Sequence, residues 1–200
     1  MRSPLRRPAA PDPKPRLHLP QTVSDGDLFA RLRADDTDAL DAALKQHWSL
    51  VVDYIKRLTV SVDAAEDVAQ RTFCQLWDRR SQWRSEGSMR ALLCRIARNY
   101  AISEHRRASA DERSAAVFAE LNEPVSPVRD SLEAEQLRSA LDREISLLPA
   151  RRREIVVLRC VHDLSYKEIA EVMNIAPQTV ANQLSSALAT LRESLRVLLD

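Results

Sequence analysis

Glycine is scarce in this sequence: Gly26 and Gly87 are the only two among 200 residues. Tight hairpin turns depend on glycine, so a sheet-rich chain of this length would need several more. Their absence argues against a sheet-rich fold and predicts an all-α protein. Hydrophobic residues make up 44% of the chain and charged residues 30%, a balance typical of a folded globular protein.

Long apolar segments are also absent. A membrane-spanning helix needs roughly 18 or more consecutive apolar residues, and no segment approaches that length. Residues 1–22 include basic residues but no apolar core, which argues against a secretory signal peptide. We therefore expect a cytoplasmic protein without direct membrane insertion.

Cysteine is sparse and widely spaced. Cys74, Cys94 and Cys160 form no CxxC pair, which argues against a disulfide framework and against a zinc site. We expect three partly buried thiols in a reducing compartment. The sequence also shows no glycine-rich phosphate loop, no Ser/His/Asp grouping and no metal-ligand spacing. It therefore predicts neither catalysis nor a metal or cofactor.

Positive and negative charges nearly cancel over the whole chain, but they are unevenly distributed along it. The formal net charge is +1, whereas residues 64–108 carry nine basic and five acidic side chains. Binding to phosphates requires local positive charge rather than a basic chain overall. Residues 64–108 are therefore the best candidate for a nucleic-acid surface.

Proline content and apolar periodicity divide the chain into four parts. Residues 1–22 hold six of the ten prolines and are predicted to be a disordered basic tail. Residues 23–108 repeat apolar side chains at steps of three and four, which predicts a small helical domain. Residues 109–131 lack clear periodicity and are predicted to be a flexible linker. Residues 132–200 return to helical periodicity and form a second domain.

The stretch SYKEIAEVMNIAPQTVANQLSSAL, residues 165–188, predicts a helix-turn-helix. Ser165 and Glu168 have the spacing of a capping box at the start of the first helix. Asn174 tolerates the left-handed backbone that a sharp turn requires. Pro177 suits the first turn of the next helix, where its missing N–H is harmless. An ordinary helical hairpin within a bundle is the alternative that this stretch leaves open.

The second helix of this unit is predicted to expose amides and hydroxyls: Gln178, Thr179, Asn182, Gln183 and Ser186. Asn and Gln can pair with adenine through two hydrogen bonds, and Ser or Thr can contact several bases. This face is almost uncharged, so contacts to DNA phosphates must come from neighbouring residues. The candidates are Arg151, Arg152, Arg153 and Lys167. A solvated helix start is the alternative for the three arginines, although cations there oppose the helix dipole.

Three segments together resemble the extracytoplasmic-function (ECF) sigma factors of bacterial RNA polymerase. AAEDVAQRTFCQLWDRR is similar to region 2.2 of that family, and RIARNYAISEHRR is similar to regions 2.3 to 2.4. LLPARRREIVVLRCVHDLSYKEIAEVMNIAPQTVANQLSSALATLR resembles region 4. The three segments occur in the family's order with suitable gaps between them. The resemblance covers residues 23–200 apart from the linker.

The resemblance implies two small helical domains, a region 2 bundle and a region 4 helix-turn-helix, joined by a flexible linker. Such a protein binds core RNA polymerase, recognises the minus-10 and minus-35 promoter elements, and promotes promoter opening and transcription initiation. It performs no chemistry of its own. A stand-alone helix-turn-helix regulator is the alternative, but it would explain only residues 132–200.

Residue roles for the minus-10 element follow from the resemblance by position. Asn99 matches the position that reads a base flipped out of the non-template strand, a task that suits an amide. Trp83 lies in the loop beside that base and offers a stacking face, with core packing as the alternative. The arginines expected to contact the DNA backbone are Arg84, Arg95, Arg98, Arg106 and Arg107.

The resemblance also implies protein partners. Asp67 and Gln70 match positions that contact the clamp coiled coil of the polymerase β′ subunit, with ordinary solvated side chains as the alternative. Arg71 is assigned to the same contact, although the family usually has an acidic residue there. The second domain is expected to bind the β flap. A membrane-anchored anti-sigma factor is a further expected partner.

Overall fold

The computed structural model describes residues 23–58, 62–83, 87–111 and 132–199, with side chains described for 23–58, 64–83, 87–104 and 139–196. The predicted tail and residues 112–131 of the predicted linker lie outside the described residues. All regular structure in the described part is helical, which confirms the predicted all-α class.

The first half of the chain contains four α-helices and a short 3-10 turn. They are α1 (Asp25–Arg33), α2 (Thr37–Lys56), α3 (Val62–Asp78), the turn Arg80–Gln82, and α4 (Met89–Asp111). The second half contains α5 (Leu132–Leu147), α6 (Ala150–Val156), a π turn (Val157–Val161), α7 (Tyr166–Met173) and α8 (Pro177–Leu199). Sequence periodicity did not predict α1, the 3-10 turn or the π turn.

Helix α1 fixes the start of α4. The hydroxyl of Ser24 accepts a hydrogen bond from the backbone N–H of Asp27, which caps α1. The carboxylate of Asp25 then accepts a hydrogen bond from the backbone N–H of Met89 at 2.8 Å. The hydroxyl of Ser88 also accepts a hydrogen bond from the backbone N–H of Ala91. The first turn of α4 is therefore held by side chains from two directions, which positions the whole helix.

The first-half core lies between α2, α3 and α4. Tyr54, Phe29, Leu76 and Leu93 are among its largest fully buried side chains. Trp48 stacks against Phe73 with ring centroids 5.9 Å apart. Burying a side chain of this size stabilises a fold by roughly 1.5–3 kcal/mol.

The second-half core lies where α6 and α7 pack against α8. Ile155, Leu158 and Ile169 are fully buried there, and Leu191 lies on the facing side of α8. The π turn extends α6 so that Val157 and Leu158 both enter this core. The backbone N–H of His162 closes the turn by donating to the carbonyl of Val157.

The two halves pack directly against each other, a contact that the sequence did not predict. Helix α4 of the first half lies against α7 of the second half. The buried apolar side chains of both halves form a single cluster in the described part of the chain. The predicted picture of two helical domains is confirmed, and the structure adds a shared interface between them.

Candidate nucleic-acid interface

The helix-turn-helix is built from the local signals that the sequence predicted. The hydroxyl of Ser165 accepts from the N–H of Glu168, and the carboxylate of Glu168 accepts from the N–H of Ser165, which completes a capping box. Asn174 adopts φ 53° and ψ 55°, the left-handed conformation expected at the turn. Helix α8 begins at Pro177. Each of these three predictions is confirmed.

Helix α8 presents the amide and hydroxyl face to solvent. Gln178, Asn182 and Ser186 are exposed, whereas Val180 and Leu184 on the opposite side are buried. Thr179 and Gln183 lie half-exposed at the edges of this face. The Gln178 amide donates to the Asn182 side-chain oxygen at 3.1 Å, so the two amides form one unit. This surface, which we call the α8 face, is free to approach the edges of bases.

The predicted phosphate contacts near α8 differ in their surroundings. Arg151 and Lys167 are exposed. Arg152 donates from Nε to the Gln183 side-chain oxygen at 3.3 Å and is thereby tied to the α8 face. Arg153 is half-buried and donates to the carbonyl of Leu148 at 3.1 Å, and burial lowers the pKa of its guanidinium. Arg151 and Lys167 are consequently the side chains of this group that solvent reaches most freely.

Helix α4 carries the predicted minus-10 contacts on two neighbouring stripes. Arg95 and Asn99 are exposed and one helical turn apart, so they share a face, which we call the α4 face. Arg98 points instead towards the second half of the protein, and its side chain is only 22% exposed. Arg84 and the side chains of Arg106 and Arg107 lie outside the described residues.

Trp83 packs at the edge of the first-half core. Its ring is half-buried, and its indole N–H donates to the carbonyl of Leu76 at 2.9 Å. This hydrogen bond ties the end of α3 to the loop that precedes α4.

The predicted polymerase contacts lie on α3. Asp67 and Gln70 are exposed and lie three residues apart. Arg71 is engaged inside the first half: its guanidinium pairs with Glu104 of α4 and lies 5.5 Å from the centre of the Tyr100 ring. These contacts hold α3 to α4. Asp67 and Gln70 are therefore more accessible to a partner than Arg71.

Glu154 is a charged residue of α6 that sequence reasoning missed. Its side chain is only 9% exposed and lies at the contact between the two halves. Its Oε1 accepts hydrogen bonds from the Tyr54 hydroxyl and from Nε of Arg98, each at 2.7 Å. A second bond joins Nη2 of Arg98 to Oε2 at 3.3 Å. In the sequence Glu154 follows three arginines and resembles an ordinary surface residue, so no local signal identified it.

Two further polar contacts cross between the halves. Arg57 at the end of α2 donates to Asp142 of α5 at 3.3 Å. Nε2 of His162 in the second half lies 3.5 Å from Oδ2 of Asp53 on α2. Burial raises the pKa of Glu168, but hydrogen bonding within the capping box contributes to lowering it, and the net result is a lowered pKa.

His162 is buried at the same contact, and its lowered pKa predicts that the stability of the fold depends on pH. Burial lowers its pKa from 6.5 to about 4; nearby Asp53 opposes the shift, whereas Arg57 and Arg90 favour it. Between about pH 4 and pH 6.5 the unfolded chain binds a proton at His162 that the folded chain does not. The free energy of unfolding therefore decreases as the pH falls through this window, and the contribution of neutral His162 is fully present above about pH 6.5. Urea unfolding should therefore show a lower midpoint at pH 5.5 than at pH 7.5.

The matched variant for this prediction is His162→Gln, which keeps a polar side chain but cannot titrate. It should reduce the difference between the two pH values. Part of the difference should remain, because burial also lowers the pKa of His47. An equal pH dependence in the variant and the parent chain would contradict the assignment to His162.

The described residues show neither a metal site nor a membrane helix. They contain no group of three or more His, Cys, Asp or Glu side chains arranged to hold a metal ion. Within the same ranges, no helix combines the length and the apolar character needed to cross a bilayer. The candidate site consists of the two polar helix faces on α4 and α8.

This arrangement defines a class: an all-helical protein with a basic helix in one domain and a helix-turn-helix in the other. Two family models match the chain, one for each half. The model for "Sigma-70 region 2" matches residues 43–110, and the model for "Sigma-70, region 4" matches residues 138–191. The chain belongs to the sigma-70 family of RNA polymerase sigma factors and to its ECF group.

Curated relatives agree with this assignment. The chain is 27% identical over 185 residues to the RNA polymerase sigma-H factor of Pseudomonas aeruginosa, which covers 88% of the chain and 95% of that protein. It is 25% identical over 182 residues to the ECF RNA polymerase sigma-E factor of Escherichia coli, covering 84% and 93%. It is 31% identical over 143 residues to the probable RNA polymerase sigma factor RfaY of Xanthomonas campestris pv. campestris, covering 69% of the chain but only 36% of RfaY.

Solved structures share the fold. CnrH in complex with the cytosolic domain of CnrY superimposes with a TM-score of 0.65 at 20% identity, covering 86% of the chain and 97% of that structure. The sigma factor RpoE in complex with the anti-sigma factor NepR from Bartonella quintana gives a TM-score of 0.65 at 24% identity, covering 77% and 94%.

Proposed function

We propose that this sigma factor binds core RNA polymerase, directs it to promoters and promotes their opening. In this proposal the α4 face reads the minus-10 element and the α8 face reads the minus-35 element. The observation that carries the proposal is the presence of two exposed polar faces on separate domains, each on a helix fixed by caps and core packing. The protein acts by binding alone, without a catalytic step, and it works in the cytoplasm.

The contacts divide into positioning and reading. Arg95, Arg151 and Lys167 are exposed cations that suit DNA phosphates, which set position without conveying sequence. Asn99 and the linked pair Gln178 and Asn182 are exposed amides that suit the edges of bases. Asp67 and Gln70, which are exposed on α3, are proposed to contact the polymerase clamp.

The direct test is run-off transcription by core RNA polymerase over a randomised promoter library, with and without this chain. We expect transcripts that depend on the chain and share two sequence elements separated by a fixed spacer. Transcripts that need the chain but share only one element would contradict a reading role for one of the two faces. Absence of any chain-dependent transcript would refute the proposed function.

A proteinaceous inhibitor is the second proposed partner. CnrH and RpoE, which share this fold, were solved with the cytosolic domain of CnrY and with the anti-sigma factor NepR respectively. We propose that an anti-sigma factor likewise binds this chain and keeps it from polymerase. Co-purification of the chain with the product of an adjacent gene, followed by loss of transcription on its addition, would support this partner.

A further inference from the structure

The packing of the two domains is incompatible with simultaneous reading of both promoter elements. Helix α8 packs on α7, and α7 packs on α4. Packed helix axes lie about 8–10 Å apart, so α4 and α8 are separated by about 20 Å across this stack. The minus-10 and minus-35 elements lie about 25 base pairs apart, which is roughly 85 Å along B-form DNA. The domains must therefore separate before both faces can act.

One buried carboxylate holds the two domains together. Glu154 of the second domain binds Arg98 through both of its oxygens and also accepts from Tyr54. All three hydrogen bonds described for this carboxylate thus come from donors of the first domain. A buried ion pair with these extra bonds contributes mainly geometric specificity, because its desolvation offsets much of its attraction. Such a contact favours one closed geometry, and rehydration of both charges offsets part of the attraction lost when the pair separates.

Arg98 has two competing partners. In this structure its guanidinium is occupied by Glu154, whereas its position on α4, beside the exposed Arg95 and Asn99, would also let it contact DNA. The N–H groups on Nε and Nη2 that bind Glu154 cannot bind a phosphate at the same time. Release of Glu154 would therefore separate the domains and also supply a further cation next to the α4 face.

We propose that this structure is a closed state of the protein, locked by Glu154 on Tyr54 and Arg98, and that release of this lock precedes promoter binding. The role of this lock in promoter binding rests on the proposed function. The locking contact itself can be tested without DNA or polymerase. Weakening the lock raises the fraction of open molecules and hence the availability of both faces.

Cys94 provides a probe of the closed state. Its thiol is fully buried, and the charged groups that act on it include Glu154 and Glu168 from the second domain. Arg90, Cys94 and Arg98 follow one another at steps of four along α4, so they share the stripe that faces that domain. Opening of the lock should uncover Cys94, whereas Cys74 and Cys160 are already exposed.

The experiment measures the reaction rate of Cys94 with a small thiol reagent in a Cys74→Ser, Cys160→Ser background. Glu154→Gln should accelerate the reaction by about tenfold or more, because it removes the charge that holds Arg98. It should also raise the radius of gyration measured by small-angle X-ray scattering. The matched control is Glu104→Gln, which breaks the pairing with Arg71 inside the first domain and should leave the Cys94 rate near that of the parent.

Tyr54→Phe keeps the buried ring and removes only the hydroxyl that binds Glu154, so it tests the lock even if Glu154→Gln fails to fold. We expect a smaller but measurable acceleration in Tyr54→Phe, with helical content unchanged by circular dichroism. Equal Cys94 rates in Tyr54→Phe and the parent, or in Glu154→Gln and Glu104→Gln, would overturn the lock. Failure of the parent chain in run-off transcription would instead refute the proposed function and leave the thiol result intact.

Discussion

Asn99→Ala is expected to lower promoter-dependent transcription by about 5- to 150-fold, the range that follows from roughly 1–3 kcal/mol for one well-formed contact to a base. Asn99 is exposed on α4, so the substitution creates no cavity. Alanine also favours the helix more than asparagine does. The loss should therefore come from the missing contact to an extruded base. Run-off transcription and permanganate footprinting of the melted region would measure it.

The informative control for Asn99 is Arg95→Ala. Arg95 is exposed on the same face one turn earlier, and we assign it to phosphate contacts. Its loss should weaken binding on all promoters alike and reduce the salt dependence, because fewer counterions are released on binding. Asn99→Ala should instead act most strongly at one base position. Equal effects of Asn99→Ala on every promoter variant would contradict its role as a reader of sequence.

The second large effect is expected at the α8 face. Gln178→Ala and Asn182→Ala should each change the preferred minus-35 sequence and reduce discrimination there by about 5- to 150-fold. The two amides are hydrogen-bonded to each other at 3.1 Å, so loss of one also frees the orientation of the other. Their effects should therefore be less than additive in the double variant. Selection from a library with a randomised minus-35 element would measure both quantities.

Thr190→Ala is the matched control for this face. Thr190 is exposed on α8, and its hydroxyl donates to the backbone carbonyl of Ser186. Its removal should leave the preferred minus-35 sequence unchanged. A preference that stays constant in both Gln178→Ala and Asn182→Ala would show that another surface reads this element.

The lock at Glu154 adds a step before these contacts. A molecule held closed presents Arg95 and Asn99 to solvent, but the α8 face cannot reach its own element at the same time. An inhibitor that prefers the closed state, or a polymerase that prefers the open state, would each shift the balance by its difference in affinity for the two. Glu154 variants that weaken the lock should therefore bind such an inhibitor less tightly and such a polymerase more tightly than the parent chain does.

The local architecture could be predicted from the sequence because its signals act over a few residues. The capping box at Ser165, the left-handed turn at Asn174 and the start of α8 at Pro177 each depend on backbone groups within one helical turn. The exposed amides of α8 followed from the same periodicity that buries Val180 and Leu184. Sequence alone also indicated the family, since three segments occur in its order.

Other features could not be predicted because they depend on side chains distant in sequence. Helix α1 has only a short apolar pattern, and it gains its role when Asp25 reaches the start of α4. Arg71 resembled a free surface cation until the fold brought Glu104 beside it. No periodicity in either segment indicates such pairings.

The sequence by itself determined the all-helical class, the helix-turn-helix and the polar face of α8, because helix periodicity and capping are local properties of the chain. Only the tertiary structure decided that the two domains are packed together and that Arg98 is bound by Glu154. These two residues are separated by 56 positions in the chain. Their pairing exists because the two domains pack against each other, with α4 against α7, and a charge buried at that contact needs a partner.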